Sequence, residues 1–160
     1  ASVMESTASP TTIVAVDADS RQRSLWVEVY PGLEGDASAA ALRAMQRRMF
    51  EQGVRVGMVF TPAYTYVVRD LLQSMRFGDN TFEVVRVETP GLWRAARLGP
   101  LEAGGGFVRQ VRAWLEAVAD RWHDVLPPEV FPAMVPEVVG NLAQARFEAW
   151  DRALEADNAA

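Results

Sequence analysis

Hydrophobic positions change their period along the chain. As far as Glu88 they come in short alternating or β-branched runs bounded by Gly, Pro and Asp; beyond about residue 105 they recur at spacings of three and four. Ile13-Val14-Ala15-Val16 is a first strand ending in Asp17-Ala18-Asp19. After the polar link Ser20-Arg21-Gln22-Arg23-Ser24, Leu25-Trp26-Val27-Glu28-Val29-Tyr30 is a second, closed by Pro31-Gly32. Two strands with so short a link predict a hairpin, with Leu25, Val27 and Val29 on one face and Trp26, Glu28 and Tyr30 on the other. A helix follows, N-capped by Asp36 or Ser38 and stopped after Gln52 by Gly53. Leu42, Met45 and Met49 form its apolar stripe, with Arg43, Arg47 and Arg48 lying off it. Three more strands are predicted: Val54–Phe60 up to the Thr61-Pro62 break, Tyr64–Arg69 up to Gly78-Asp79-Asn80, and Phe82–Glu88 closed by Thr89-Pro90-Gly91. The passage from Leu25 to Phe60 has the length of a right-handed crossover between parallel strands.

In the last third, Phe107, Val111, Trp114, Leu115, Val118 and Trp122 make one helical face that ends at Pro127-Pro128. A proline-broken stretch leads to a final helix from about Glu137, with Val139, Ala143, Phe147, Trp150 and Leu154 on its stripe. The expected class is therefore α/β: a small mixed sheet with a β-hairpin and a βαβ crossover, and a helical C-terminal third from about residue 105. Residues 1–11 are small and polar and read as a flexible arm; residues 12–160 read as a single domain, without internal repeats.

Composition narrows the chemistry. The 160 residues contain no Cys, one His and 16 basic residues, every one of them Arg. That excludes thiolate nucleophiles, Cys-ligated metal, Schiff-base lysines and the lysine of a phosphate-binding P-loop from this chain. Carboxylate chemistry, a carboxylate-bound metal, Arg recognition or no catalysis is what survives. The net charge is −5. Residues 1–100 are balanced, and the excess of acids lies beyond them, so there is no general pull toward nucleic acid. A local basic face remains open at Arg43, Arg47 and Arg48, with Arg55 beyond them and only Glu51 opposing. No window reaches the roughly 18 apolar residues of a membrane helix and no signal segment opens the chain, so a cytoplasmic location without membrane contact is expected.

The first candidate constellation is Asp17, Asp19 and Glu28. A tight hairpin would set the acids that end one strand across from the acid on the next, and converging carboxylates share a cation such as Mg²⁺ or Mn²⁺ through oxygen ligands. The alternative is that Asp17 and Asp19 start a turn and Glu28 faces solvent. Elsewhere the bland readings lead. His123 is a helix C-terminal cation rather than a base oriented by Asp120 or Asp124. Gly104-Gly105-Gly106 is a helix lead-in rather than a phosphate cradle. Tyr64, Tyr66 and Arg69, beside Arg76, are sheet packing rather than a nucleotide clamp. The five Trp residues are either core or an exposed interface.

The order of a strand ending in Asp, a short link, a strand carrying Glu28, a helix and a strand resembles the PD-(D/E)xK restriction-endonuclease-like superfamily. Trp26-Val27-Glu28-Val29-Tyr30-Pro31-Gly32 resembles the strand with the (D/E)xK element, Ala40–Gln52 the helix after it, and Val54–Pro62 the hydrophobic strand that follows. Val111-Arg112-Ala113-Trp114-Leu115 is similar to a helix of small bacterial proteins of that superfamily, so the resemblance covers roughly residues 12–122. It implies Asp19 (or Asp17) and Glu28 as metal-binding acids, with Gln46 facing the site. Glu5 is then the only candidate for the acid that families carry on an N-terminal helix. The lysine position falls on Tyr30, a neutral phenol, and no lysine exists to replace it; Arg47 or Arg48 could supply charge but is a poor proton acceptor. The expectation is a catalytically degenerate module, without a cofactor, that acts as a binding or assembly subunit through its Trp-containing helical third. Its partner would be another protein or a second copy, with nucleic acid possible. One alternative is an active Mg- or Mn-dependent endonuclease using Asp19 and Glu28, a phosphodiester hydrolase. The other is an interaction protein on an unrelated α/β scaffold.

Overall fold

The computed structural model describes residues 10–33, 35–37, 39–71, 82–143 and 145–149. Strands β1 (Thr11–Asp17) and β2 (Arg23–Val29) form the hairpin, and helix α1 (Ala39–Gln52) crosses over to β3 (Val56–Phe60). Strands β4 (Tyr64–Asp70) and β5 (Phe82–Glu88) continue as a meander. Helices α2 (Thr89–Ala96) and α3 (Gly105–Val125) follow, then a run of short helical turns over 128–142 and strand β6 (Ala145–Ala149). Among the described residues, six strands form one sheet in the order β5-β4-β3-β2-β1-β6. Only β2 and β3 pair in parallel, the geometry a helical crossover imposes; every other neighbouring pair is antiparallel.

The pleat sends alternate residues of the central strands into two separate cores. On one face Leu25, Val27, Val29, Met58, Phe60 and Val67 pack against α2, α3 and the turns after them, with Trp93, Trp114 and Phe107 fully buried. Phe60 holds that core together, edge-on to Trp114 at 5.5 Å between centroids and tilted against Trp93 at 6.1 Å. On the other face Trp26, Val14, Val16, Val59, Tyr66 and Val68 are covered by Met45 and Met49 of α1. The helix sits this close because of Gly57, where a Cβ would lie 2.3 Å from the Met45 Cε and 2.8 Å from the Met49 Sδ. Helix, sheet and helices thus form three layers, and the α/β class expected from the sequence is the one observed. No described helix is long and apolar enough to cross a membrane.

Two elements differ from the sequence reading. Residues 145–149 are a strand paired antiparallel with β1, not part of a final helix; Trp150 and Leu154 lie outside the described residues. Ala145-Arg146-Phe147-Glu148 alternates, its charged residues exposed and Ala145 and Phe147 turned to the core, and the open edge of β1 captures that period of two. Thr89-Pro90-Gly91 does not merely close β5: Pro90 stands in the first turn of α2, where its missing N–H leaves no bond unmade, and Leu92, Trp93 and Ala96 bury the helix. α1 ends at Gln52 as expected, with Gly53 at φ +69°. Asp36 precedes α1, and its carboxylate bonds Tyr66 and Arg86 on the neighbouring strands; Ser38 lies outside the described residues.

Candidate functional site

Glu28 is the most conspicuous polar group in the fold: a carboxylate with no solvent exposure, on a central strand, beneath a helix. The alternation of β2 puts it on the α1 face between Trp26 and Tyr30. Four donors meet it. Oε1 accepts from the Tyr30 hydroxyl at 3.1 Å and from Arg48 Nη2 at 2.6 Å; Oε2 accepts from Trp26 Nε1 at 2.9 Å and from Arg48 Nε at 2.5 Å. Arg48 reaches inward because it stands three residues after Met45 and beside Met49, at the border of the buried stripe of α1. Its hydrogen bonds to Glu28 push its guanidinium above the ordinary value. Burial, then the charge of Glu28, pushes the Tyr30 phenol up, so Tyr30 stays a neutral donor.

The hairpin register corrects the expected acid cluster. Opposite Glu28 on β1 is Thr12, itself buried, whereas Asp17 lies five residues further along, roughly 16 Å at the rise of a strand. Asp17 organises the turn at the far end of the hairpin. Its Oδ1 accepts from the backbone N–H groups of Asp19 and Ser20, both at 2.9 Å, and the Ser20 N–H above all holds its carboxyl below the ordinary range. Asp19 is exposed in the same turn. The aspartates therefore start a turn, as their alternative reading had it, and Glu28 faces neither them nor solvent. Glu5 lies outside the described residues.

The remaining candidates scatter. Gln46 is half-buried on α1 and is not among the groups bonded to Glu28. Arg43 and Arg47 are exposed on α1, but Arg48 is not part of a basic surface with them, because its guanidinium is spent on Glu28. Tyr66 turns its hydroxyl to Asp36 and the Ala37 N–H, and the guanidinium of Arg86 lies over the Tyr64 ring, 4.4 Å from its centroid. Arg69 alternates to the opposite face of β4 and pairs with Glu83, so no nucleotide clamp forms from it with the tyrosines; Arg76 lies outside the described residues. His123 is exposed in the last turn of α3, stacked on Trp122. Trp26, Trp93 and Trp114 are core residues and Trp122 is half-buried against Phe131, so these four form no exposed Trp interface.

The set around Glu28 does not suit the divalent metal that the resemblance implies. A magnesium site uses oxygen ligands, and here the one carboxylate already accepts four hydrogen bonds, two of them from a permanent cation in the place a metal ion would take. Among the described residues no three His, Asp or Glu side chains gather into a metal-holding group. Arg48 cannot serve as a proton acceptor, and Tyr30 donates its proton inward. Trp26 and Thr12 were not singled out from sequence; Trp26 shares its strand face with Glu28 and could have been, whereas Thr12 depends on the register. Comparison of the chain with protein-family models, curated proteins and solved structures finds no match.

Proposed function

We propose that this chain is a catalytically silent module of restriction-endonuclease-like design that acts as a binding or assembly subunit for another protein. The observation that carries the reading is the Glu28–Arg48 pair: at the strand position where an active member would present a metal-binding acid, the acid is neutralised by an arginine from the following helix. The lysine position is occupied by Tyr30, which donates its hydroxyl to the same acid. The strand–helix–parallel strand order around Glu28 supports the superfamily side of the proposal, and the net charge of −5 favours a protein over a polyanion as partner. The test is incubation of the purified protein with single- and double-stranded DNA and Mg²⁺ or Mn²⁺. No cleavage above background is expected, with Glu28→Gln indistinguishable from the parent; metal-dependent cutting that Glu28→Gln abolishes would overturn the proposal.

A further inference from the structure

At the end of the sheet remote from Glu28, the ends of β1 and β4, the starts of β2 and β3, Gly53 and Asn141 surround a cleft of about 530 Å³. That is within the size range of small-molecule sites. Its charged lining mixes signs: Arg23, Arg55 and Arg69 against Asp17 and Asp70. Two of the arginines are engaged within the fold, Arg23 with the Gln52 Oε1 at 2.5 Å and Arg69 with Glu83. The exposed Arg55 side chain makes no hydrogen bond or ion pair among the described residues.

The mixture of signs selects among ligands. Guanidinium groups match the oxygens of a phosphate, and of the three around this cleft Arg55 is the exposed one whose side chain no described residue holds. A polymer of phosphates, however, would bring further negative charges against Asp17 and Asp70, and with Arg69 paired to Glu83 the cleft has no excess of positive charge to drive counterion release. A ligand with one phosphate and several hydroxyls suits both signs. Asp17 holds the turn through the Asp19 and Ser20 N–H groups and the Ser20 side chain, and a carboxylate has lone pairs enough to accept one more hydrogen bond from a ligand hydroxyl; Gln22 extends the polar wall.

We propose that this cleft binds a small phosphorylated, hydroxyl-bearing molecule, a sugar phosphate or nucleoside monophosphate, with Arg55 as the principal phosphate contact and Asp17 reading a hydroxyl. The site is separate from Glu28 and stands whether or not the module is a silent nuclease. The test is titration of the full chain with ribose 5-phosphate, adenosine monophosphate, ribose and inorganic phosphate, followed by calorimetry or amide NMR shifts. Saturable binding of one or both phosphorylated compounds is expected, weakened about tenfold or more by Arg55→Gln. Arg94→Gln, which removes the same charge from an exposed position on α2, should leave it unchanged. Binding of ribose 5-phosphate alone assigns a sugar phosphate, and binding of the nucleotide assigns a nucleotide. No saturable binding at millimolar concentration, equal weakening by Arg94→Gln, or inorganic phosphate bound as tightly as either compound overturns the proposal.

Discussion

Glu28 and Arg48 meet as a two-point ion pair across the β2–α1 interface, with N···O separations of 2.5 and 2.6 Å and no solvent exposure on the carboxylate side. Such a pair is poor evidence of net stability but strong evidence of dependence on the arginine, because the Glu28 carboxylate left alone is buried without its counterion, whereas Arg48 keeps some contact with water. Arg48→Met should therefore lower the unfolding free energy by about 3–5 kcal/mol, and adding Glu28→Gln to it should recover part of the loss. Urea midpoints at unchanged m-value read both numbers. A loss below about 1 kcal/mol for Arg48→Met, the range of exposed pairs, would mean that water reaches the carboxylate.

That pair also marks where the sequence stops being legible. The two faces of β2, the α1 stop at Gly53 and the crossover to β3 follow from local period and local breakers, and the structure has them. The register of the hairpin does not. It is set by the Asp17 turn, where Arg21 adopts φ 62°, and by a shift between Ala15 and Val16, and together these put Thr12 rather than an aspartate opposite Glu28. Phe147 belongs equally to a helical stripe and to an alternating strand, and only the free edge of β1 decides between them. Arg48 was legible as a helix residue near the site, but its inward turn depends on a carboxylate buried below it.

Gly57 permits α1 to rest on the sheet. A methyl group there would press on the ends of Met45 and Met49 and come 3.1 Å from the Trp26 carbonyl oxygen, so the helix must lift or the methionines repack. Gly57→Ala should destabilise by about 1–3 kcal/mol, whereas Gly32→Ala, with nothing within 4 Å of its new Cβ, should stay within about 0.5 kcal/mol of the parent. Thermal unfolding followed by circular dichroism compares the two, and equal midpoints would show that α1 does not bear on residue 57.

Asp36 ties the segment before α1 to the sheet, accepting from Arg86 Nη1 at 2.7 Å and from the Tyr66 hydroxyl at 2.9 Å. Its bond from Arg86 above all holds its carboxyl below the ordinary 3.8. Because the folded value is the lower one, the unfolded chain takes up protons first on acidification, and the contribution is present above about pH 4 and lost as pH falls through the folded value. The difference in stability between the parent and Asp36→Asn should thus be flat above about pH 5 and shrink on acidification below about pH 4. A difference that grows on acidification has the wrong sign for this arrangement.

Gln110 does for the α2–α3 junction what a loop cannot do for itself. Buried on α3, it accepts through Oε1 from Trp93 Nε1 at 3.0 Å and the Glu102 N–H at 2.9 Å, and donates through Nε2 to the Pro100 carbonyl at 2.8 Å and the Leu98 carbonyl at 3.4 Å. One side chain thereby pins the connection between two helices to the core tryptophan. Gln110→Leu keeps the approximate volume but strands a buried indole N–H and leaves the loop groups unbonded, at about 1–3 kcal/mol for each donor or acceptor that water cannot reach. The variant should unfold at lower urea and show faster amide exchange at Glu102, with Trp93 emission shifted by its altered hydrogen bonding. Because the loop carbonyls can recover water and the Trp93 N–H cannot, Gln110→Glu, which retains an acceptor for the indole, should fall between the parent and Gln110→Leu. If Gln110→Glu proves the worse of the two, the burial of charge outweighs the lost bond and the indole contact is not what the position requires.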